Sequence, residues 1–270
     1  MLKTQINLLK TVFFIVTLTS SLSGCSDFFA DSEDVQTQDM RANIQVTASG
    51  QHTFVHAQLS DAYGNLRLHS SDRLWASTGN PINRSLNSND LFAALGQLSQ
   101  DVTRLRIRQA ITDPFIKDQI TGTWWYEGQS PISLSNLYYV ALIRGNSNHA
   151  WDSHVTVPPA FIISAPLANE THRRQNPLTF HWQAGVSLVS VSIYIQSLCQ
   201  NDAEYTWSTD NLIDDGHFVL PAEDFAQLGE GPCETTITVI KSEQGHLDEH
   251  FLGGSISGHR LSTVTFNTTE

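Results

Sequence analysis

The stretch NIQVTASGQHTFVHAQLSDAYGN, residues 43–65, decides the fold of this chain. Its apolar and polar residues alternate with a period of two, which is typical of a half-buried β-strand. In the second run one face carries Thr53, Val55, Ala57 and Leu59. The other face carries His52, Phe54 and His56. Gly50 interrupts the alternation and AYGN ends it with turn-forming residues, so the stretch predicts two short strands.

Similar short runs, separated by turn signals, continue to the C-terminus. Pro158-Pro159 forms a stiff linker between an earlier set of runs and a later set. Regularly spaced short strands are typical of β-sandwiches of about 100 residues each. We therefore predict an all-β fold with two tandem immunoglobulin-like β-sandwiches, residues 42–157 and 158–270. Short helical turns are predicted in SNDLFAALGQL, residues 88–98, and in AEDFAQL, residues 222–228.

The N-terminus has the order of a secretory signal peptide. Lys3 and Lys10, with no acidic residue, accompany an apolar run at residues 12–18, and small residues follow at 20–24. The run is shorter than the roughly 20 apolar residues that a membrane span needs. We predict that residues 1–24 are a signal peptide.

Leu22-Ser23-Gly24-Cys25 resembles the lipobox of bacterial lipoproteins. The resemblance implies that Cys25 becomes the first mature residue and carries diacylglycerol, and several acyl chains make a firm anchor. The alternative is an ordinary signal peptide with an incidental cysteine. Asp27 does not directly follow Cys25, which by analogy with enteric sorting rules favours the outer membrane over the inner one. Residues 25–41, polar and acidic, are predicted to form a lipidated, flexible tether.

The charge of the chain restricts its partners. With 40% hydrophobic and 16% charged residues, the 270-residue chain has enough apolar side chains for a packed core. Its formal net charge of −12 argues against nucleic acid, and against binding to anionic lipid by a general field. The membrane is therefore expected to be a partner through acylated Cys25, beside an unknown protein or glycan of the cell envelope.

Two further cysteines, Cys199 and Cys233, form an even pair in a chain predicted to be exported. Disulfides persist in exported proteins, so we predict a bond between them. The alternative, a metal or redox pair, lacks the C-x-x-C spacing and partner ligands.

The later set of runs resembles an immunoglobulin or fibronectin type III module. Trp182 in LTFHWQ lies where such modules often place a core tryptophan on an early strand. A D-x-x-G-N turn, a DRL strand and the closing GGSISGHRLSTVTF make the chain similar to a group of uncharacterised bacterial lipoproteins with paired immunoglobulin-like domains. This resemblance implies a fold and an anchor, and it brings no activity.

Two strands offer candidate ligand surfaces. In TWWYEG, residues 123–128, alternation places Trp124 and Tyr126 on one face and Trp125 on the other, and one face must be core. The other face can expose an aromatic platform for glycan stacking, for which Trp124 and Tyr126 are the candidates. The alternative is that edge-strand or domain contacts cover these rings. In VTRLRIRQ, residues 102–109, the outward face carries Arg104, Arg106 and Arg108. This arginine stripe suits an anionic ligand or the acidic patch of a partner. The alternatives are cross-strand pairing with carboxylates and protection of a sheet surface from association.

The zinc motif H-x-x-E-H occurs in HLDEH, residues 246–250. It would make His246 and His250 the metal ligands and Glu249 the base of a hydrolase, provided that the stretch is helical. Nearby glycines and flanking β patterns favour a hairpin loop instead.

DNLIDDG, residues 210–216, looks like a calcium loop, but Ile213 occupies a ligand position, so an Asp-Gly turn is predicted. The chain carries no nucleophile elbow, P-loop or dinucleotide fingerprint. We therefore predict a non-enzymatic binding, interaction or spacing module without cofactor or metal. A carbohydrate-binding protein and, further behind, a zinc hydrolase are the alternatives.

Overall fold

The computed structural model describes residues 30–79, 81, 102–111, 122–131, 135–145, 148–185, 189–200 and 202–270. In these ranges the chain is almost entirely β, which confirms the predicted all-β class. The strands are β1 (Arg41–Ser49), β2 (His52–Ser60), β3 (Arg73–Thr78), β4 (Val102–Arg104), β5 (Arg106–Ile111), β6 (Gly122–Pro131), β7 (Leu137–Ile143), β8 (Ala150–Thr156), β9 (Ile163–Ala165), β10 (Thr171–Arg173), β11 (Leu178–Trp182), β12 (Ser190–Cys199), β13 (Glu204–Ile213), β14 (His217–Leu220), β15 (Cys233–Gln244) and β16 (Gly253–Thr269).

Helices are short in the described ranges. A 3-10 helix covers Thr37–Asp39 and α1 covers Ala222–Ala226, directly after Pro221. The predicted helical turn at residues 222–228 is therefore confirmed, and the one at 88–98 lies outside the described residues. None of the described helices has the length and apolar character of a membrane span.

The described strands form three sheets. A nine-stranded sheet has the order β13-β12-β15-β16-β1-β2-β6-β5, with β10 also paired to β16. A four-stranded sheet, β4-β3-β7-β8, and a three-stranded sheet, β14-β11-β9, complete the described set. The alternating sequence of β1 and β2 explains this arrangement, because one face of the hairpin, with Ile44 of β1 and Val55 of β2, packs into a core while the opposite face is exposed.

Two large hydrophobic cores occur in the described residues. The first core lies between the four-stranded sheet and the β16-β1-β2-β6-β5 part of the large sheet, and it includes Ile44, Val55, Leu74, Tyr126 and Tyr138. The second core lies between the three-stranded sheet and the β12-β15-β16 part, and it includes Phe180, Trp182, Ile195, Ile237 and Phe266. Each core therefore has the two packed sheets of a β-sandwich.

The last strand serves both cores. Its first half pairs in parallel with β1, in the register Arg41↔Gly253 to Ala48↔Arg260, and most of its length pairs with β15. Ile256 enters the first core and Phe266 the second. At Gly254 a Cβ atom would lie 2.0 Å from the carbonyl oxygen of Ala42, so the close approach of β16 to β1 requires glycine there. The chain thus passes to the second core near residue 158 and returns to the first core in the loop before β16, at Phe251. It then runs along β16 into the second core again.

Residues 30–41 are packed against the first core, so the prediction of a flexible tether is wrong for this part of residues 25–41. Ser32, Thr37 and Met40 are buried. The buried guanidinium of Arg144 donates to the carbonyl of Ser32 and to Oγ1 of Thr37 at 3.2 Å. The polar groups of this segment accept hydrogen bonds from the buried guanidinium of Arg144. A polar sequence can therefore be packed inside the fold, and its polarity does not by itself indicate a flexible tether. Residues 25–29 lie outside the described residues.

The second core contains the predicted disulfide and a buried ion pair. Cys199 and Cys233 are bonded across the paired strands β12 and β15, which confirms the prediction. Beside Trp182, Nζ of Lys241 donates to Oδ2 of Asp214 at 2.7 Å. Trp182 donates its Nε1–H to the other carboxylate oxygen at 2.8 Å. The carboxylate is therefore fully engaged inside the fold, in the turn that was predicted at residues 210–216.

Candidate ligand-binding groove

The arginine stripe lies where the chain crosses from one sheet to another. β4 pairs with β3 in the four-stranded sheet, and β5 pairs with β6 in the nine-stranded sheet. Between them Leu105 is buried, and its N–H donates to the carbonyl of Leu74 at 2.9 Å. The crossing leaves Arg104, Arg106 and Arg108 exposed, as their alternation predicted.

Gly128 on β6 makes room for this crossing. A Cβ atom at this position would lie 2.4 Å from Cδ2 of Leu105 and 3.5 Å from its Cα. Any larger residue would push Leu105 outward or force it into another rotamer. Because Leu105 separates Arg104 from Arg106, Gly128 helps to fix the position of the stripe.

A groove of about 700 Å³ runs beside the arginines. Its lining comes from β2, β4, β5 and β6, and consists of Phe54, Val55, His56, Thr103, Arg104, Arg106, Arg108, Glu127, Gly128 and Gln129. A smaller neighbouring cavity of about 460 Å³ is lined by Ser70, Asp72, Arg104, Leu105, Arg106, Ile107 and Tyr126. Arg104 and Arg106 line both spaces, so they form the wall between the two.

The three arginines differ in their partners. Arg108 donates from Nε to Oε1 of Glu127 at 2.6 Å, and Trp125 donates from Nε1 to Oε2 of Glu127 at 3.1 Å. Both hydrogen bonds lower the pKa of Glu127, and the bond from Trp125 has the larger effect. By contrast, neither Arg104 nor Arg106 forms an ion pair with another described residue. Two cationic groups therefore face the groove without a neutralising carboxylate among the described residues.

Arg73 adds positive charge beside the stripe. Burial, and then the charge of Arg104, lower the pKa of Arg73. Positively charged side chains are thus gathered beside the groove, although the chain carries a formal net charge of −12. Such a reversal of sign concentrates anions at one surface.

Aromatic side chains share the exposed sheet face with the arginines. Phe54 is 47% exposed and lies in the groove wall. The rings of His56 and Trp125 approach to 5.9 Å between centroids. Burial lowers the pKa of His56, and Glu127 opposes this in part. At neutral pH the His56 ring is therefore an uncharged, partly apolar surface beside Trp125.

The predicted aromatic platform at Trp124 and Tyr126 is on the wrong face. Tyr126 is 1% exposed, and its hydroxyl donates to the carbonyl of Asp72 at 3.3 Å. Trp124 is half-buried and packs against the first core. The four-stranded sheet covers this face, so neither ring is free to stack on a glycan. Phe54, His56 and Trp125 are the outward aromatics instead, and the alternation of HTFVHA had already placed Phe54 and His56 together on one face.

An acidic group underlies the smaller cavity. Asp72 is buried, and its Oδ1 accepts from Nε of Arg144 at 3.3 Å. Its Oδ2 has no hydrogen-bond partner among the described residues. The negative charge of Asp72 is held by a buried arginine rather than by the exposed stripe. Among the described residues, Asp72 therefore does not neutralise Arg104 or Arg106.

The HLDEH stretch forms the hairpin loop between β15 and β16 and not a helix, so His246, Glu249 and His250 lack the framework of the zinc motif. His250 contacts Oδ1 of Asp248 through Nδ1 at 2.6 Å, and Oδ2 of Asp248 accepts two backbone N–H groups of β8. Within the ranges that the structure describes, no three metal-ligating side chains gather.

The fold and groove define an all-β protein whose two sandwich cores share one sheet. No family model matches the chain, and no curated protein matches it. Among solved structures, a cytokine receptor complex is 10% identical with a TM-score of 0.25, over 83% of this chain and 94% of that one.

Two further structures match in the same range. Fibronectin(III)-like modules of CbhA from Clostridium thermocellum are 10% identical with a TM-score of 0.23, over 85% of this chain and 90% of that one. Two tandem V-type regions of a v-region-containing chitin binding protein are 7% identical with a TM-score of 0.21, over 86% of this chain and 100% of that one. These TM-scores are low, so the all-β sandwich assignment rests on the strands and sheets described above.

Proposed function

We propose that this protein is a non-enzymatic binding module of the bacterial cell envelope, anchored through acylated Cys25, with the outer membrane as the favoured location. The observation that carries the binding role is the cationic groove. Arg104 and Arg106 project there from the surface of an acidic chain, and no described carboxylate pairs with them. Arginines that no described carboxylate neutralises, held on a sheet surface, are suited to recognising an anionic partner.

The rigid framework suits a spacing role as well. The strand β16 joins both cores through continuous pairing with β1 and β15. A groove on such a framework would be held at a fixed position relative to the second core. Rigid scaffolds with surface sites are a common basis for recognition in β-sandwich proteins.

The binding proposal is tested with envelopes isolated from the native producer. Labelled full-length protein carrying Arg104→Gln, Arg106→Gln and Arg108→Gln is compared with wild type. A matched control replaces three exposed arginines elsewhere, Arg41→Gln, Arg67→Gln and Arg173→Gln. We expect the stripe variant to lose retention and the control to keep it; equal retention of both variants would refute the proposed role of the groove.

The anchor is tested separately in the same producer. Cys25→Ala is expected to abolish incorporation of labelled fatty acid and to release the protein into the soluble fraction. Persistent labelling would show that the anchor lies elsewhere.

Carbohydrate binding is the second candidate function. Phe54, His56 and Trp125 supply aromatic surface on the face that carries the arginines. Aromatic rings beside polar groups are a common means of holding sugar rings, because the apolar C–H face of a sugar packs on the ring.

A further inference from the structure

We infer that the ligand of the groove is an anionic polysaccharide, a chain of sugar rings that bear carboxylates, lying across the exposed face of the nine-stranded sheet. This inference rests on the proposed binding function and specifies its ligand. It joins two features of the groove, namely the two arginines that pair with no described carboxylate and the outward aromatic rings.

The charge of the groove selects for anions. Arg104 and Arg106 are exposed on either side of the buried Leu105, and both line the groove. A guanidinium presents paired N–H groups that match the two oxygens of a carboxylate. Two neighbouring guanidinium groups match a polymer that carries a carboxylate on successive sugar units. They match a neutral glycan less well.

The aromatic side chains select for sugar rings. Phe54 is 47% exposed in the groove wall, and the neighbouring pair of His56 and Trp125 extends the apolar surface. Glu127 holds Trp125 and Arg108 in place through both oxygens, while its side chain stays 41% exposed. That carboxylate can also accept a sugar hydroxyl, and Gln129 can donate to or accept from another.

The backbone around the groove argues against an extended peptide as the ligand. A peptide that adds to a sheet needs a row of unpaired N–H and C=O groups at a free edge. The part of the groove formed by β2 and β6 lacks such groups, because these strands are paired with each other from His52↔Pro131 to Ala57↔Tyr126. A ligand lying over these two strands binds through side chains, as a glycan does. Addition of a peptide is confined to the edges of β4 and β5, which end their sheets among the described strands.

The test uses the full-length protein in detergent and three defined polymers. Polygalacturonate presents carboxylates on sugar rings, its methyl ester presents the same rings without charge, and poly-L-glutamate presents carboxylates without rings. Calorimetric titration is expected to show binding of polygalacturonate and at least about tenfold weaker binding of each of the other two.

Variants locate the binding. Arg104→Gln with Arg106→Gln is expected to weaken polygalacturonate binding by about tenfold or more, since charged hydrogen bonds are lost. Phe54→Ser, at an exposed position, is expected to weaken it by about three- to tenfold. Arg173→Gln, on the distant strand β10, is expected to leave it unchanged.

Each contrary outcome has a distinct meaning. Equal binding of the methyl ester would overturn the carboxylate requirement, and equal binding of poly-L-glutamate would point to an acidic protein instead. If no polymer binds while envelopes still retain the wild type in an arginine-dependent way, the glycan inference fails and the proposed binding function stands. Loss of arginine dependence in the envelope assay would defeat both.

Discussion

Removal of the Cys199–Cys233 disulfide is expected to lower the free energy of unfolding by about 3–4 kcal/mol. The bond joins the end of β12 to the start of β15 across a sequence separation of 34 residues. For a loop of that length the chain-entropy relation gives a stabilisation of about 3–4 kcal/mol at 25 °C. Both cysteines are buried, and Nη1 of Arg174 donates to Sγ of Cys233 at 3.4 Å.

The assay is thermal and urea unfolding of Cys199→Ala/Cys233→Ala beside the wild type. At about 2–4 °C per kcal/mol for a chain of this size, Tm is expected to fall by about 6–16 °C. Because β16 joins both cores, we expect one shifted transition rather than two. Reductant should reproduce the shift in the wild type and do nothing to the variant. A loss below about 1 kcal/mol, or an equal effect of reductant on both proteins, would refute the reasoning.

Three further predictions concern stability. Lys241→Met is expected to cost about 3–5 kcal/mol in urea unfolding, because it leaves the buried Asp214 carboxylate without its cation; adding Asp214→Leu should recover part of the loss, and no recovery would contradict this. Gly128→Ala is expected to cost about 1–3 kcal/mol and to weaken envelope retention by displacing Leu105; normal retention would contradict the role of Gly128. Burial lowers the pKa of His259 below 6.5, so the unfolded state binds more protons and stability should fall as the pH drops from about 6.5 through the folded-state pKa. His259→Gln should flatten that slope, and an unchanged slope would exclude His259 as its source.

The strands were predictable because local patterns determine them. Alternation in residues 43–65 identified β1 and β2, and the even pair of cysteines in a chain predicted to be exported identified the disulfide. Pro221 before AEDFAQL indicated the helix α1. In each case the information lies within a few residues, or in the chemistry of one residue type.

The composition of the groove was harder to predict. Alternation in TWWYEG separates Trp125 from Trp124 and Tyr126, but it does not say which face another sheet will cover. That depends on the packing of β3 and β7 against β6, which brings distant segments together. The crossing at Leu105, which sets the arginine stripe between two sheets, depends on Gly128 more than 20 positions away.

Pairing between the two ends of the chain was also beyond local patterns. β1 and β16 are parallel neighbours although about 200 residues separate them. Residues 30–41 look like a polar tether in sequence, and only the position of the buried Arg144 explains why Ser32 and Thr37 are inside.

The central claim is that the groove, and not another exposed surface, contacts the ligand in the cell. A photo-crosslinking amino acid is placed in the full-length protein in its native producer, either at Gln129 in the groove or at Tyr194 on the exposed face of β12. The account predicts adducts from position 129 that disappear with Arg104→Gln and Arg106→Gln, and none from position 194. Adducts from position 194 alone would contradict the account. Adducts from position 129 that persist with Arg104→Gln and Arg106→Gln would contradict it as well.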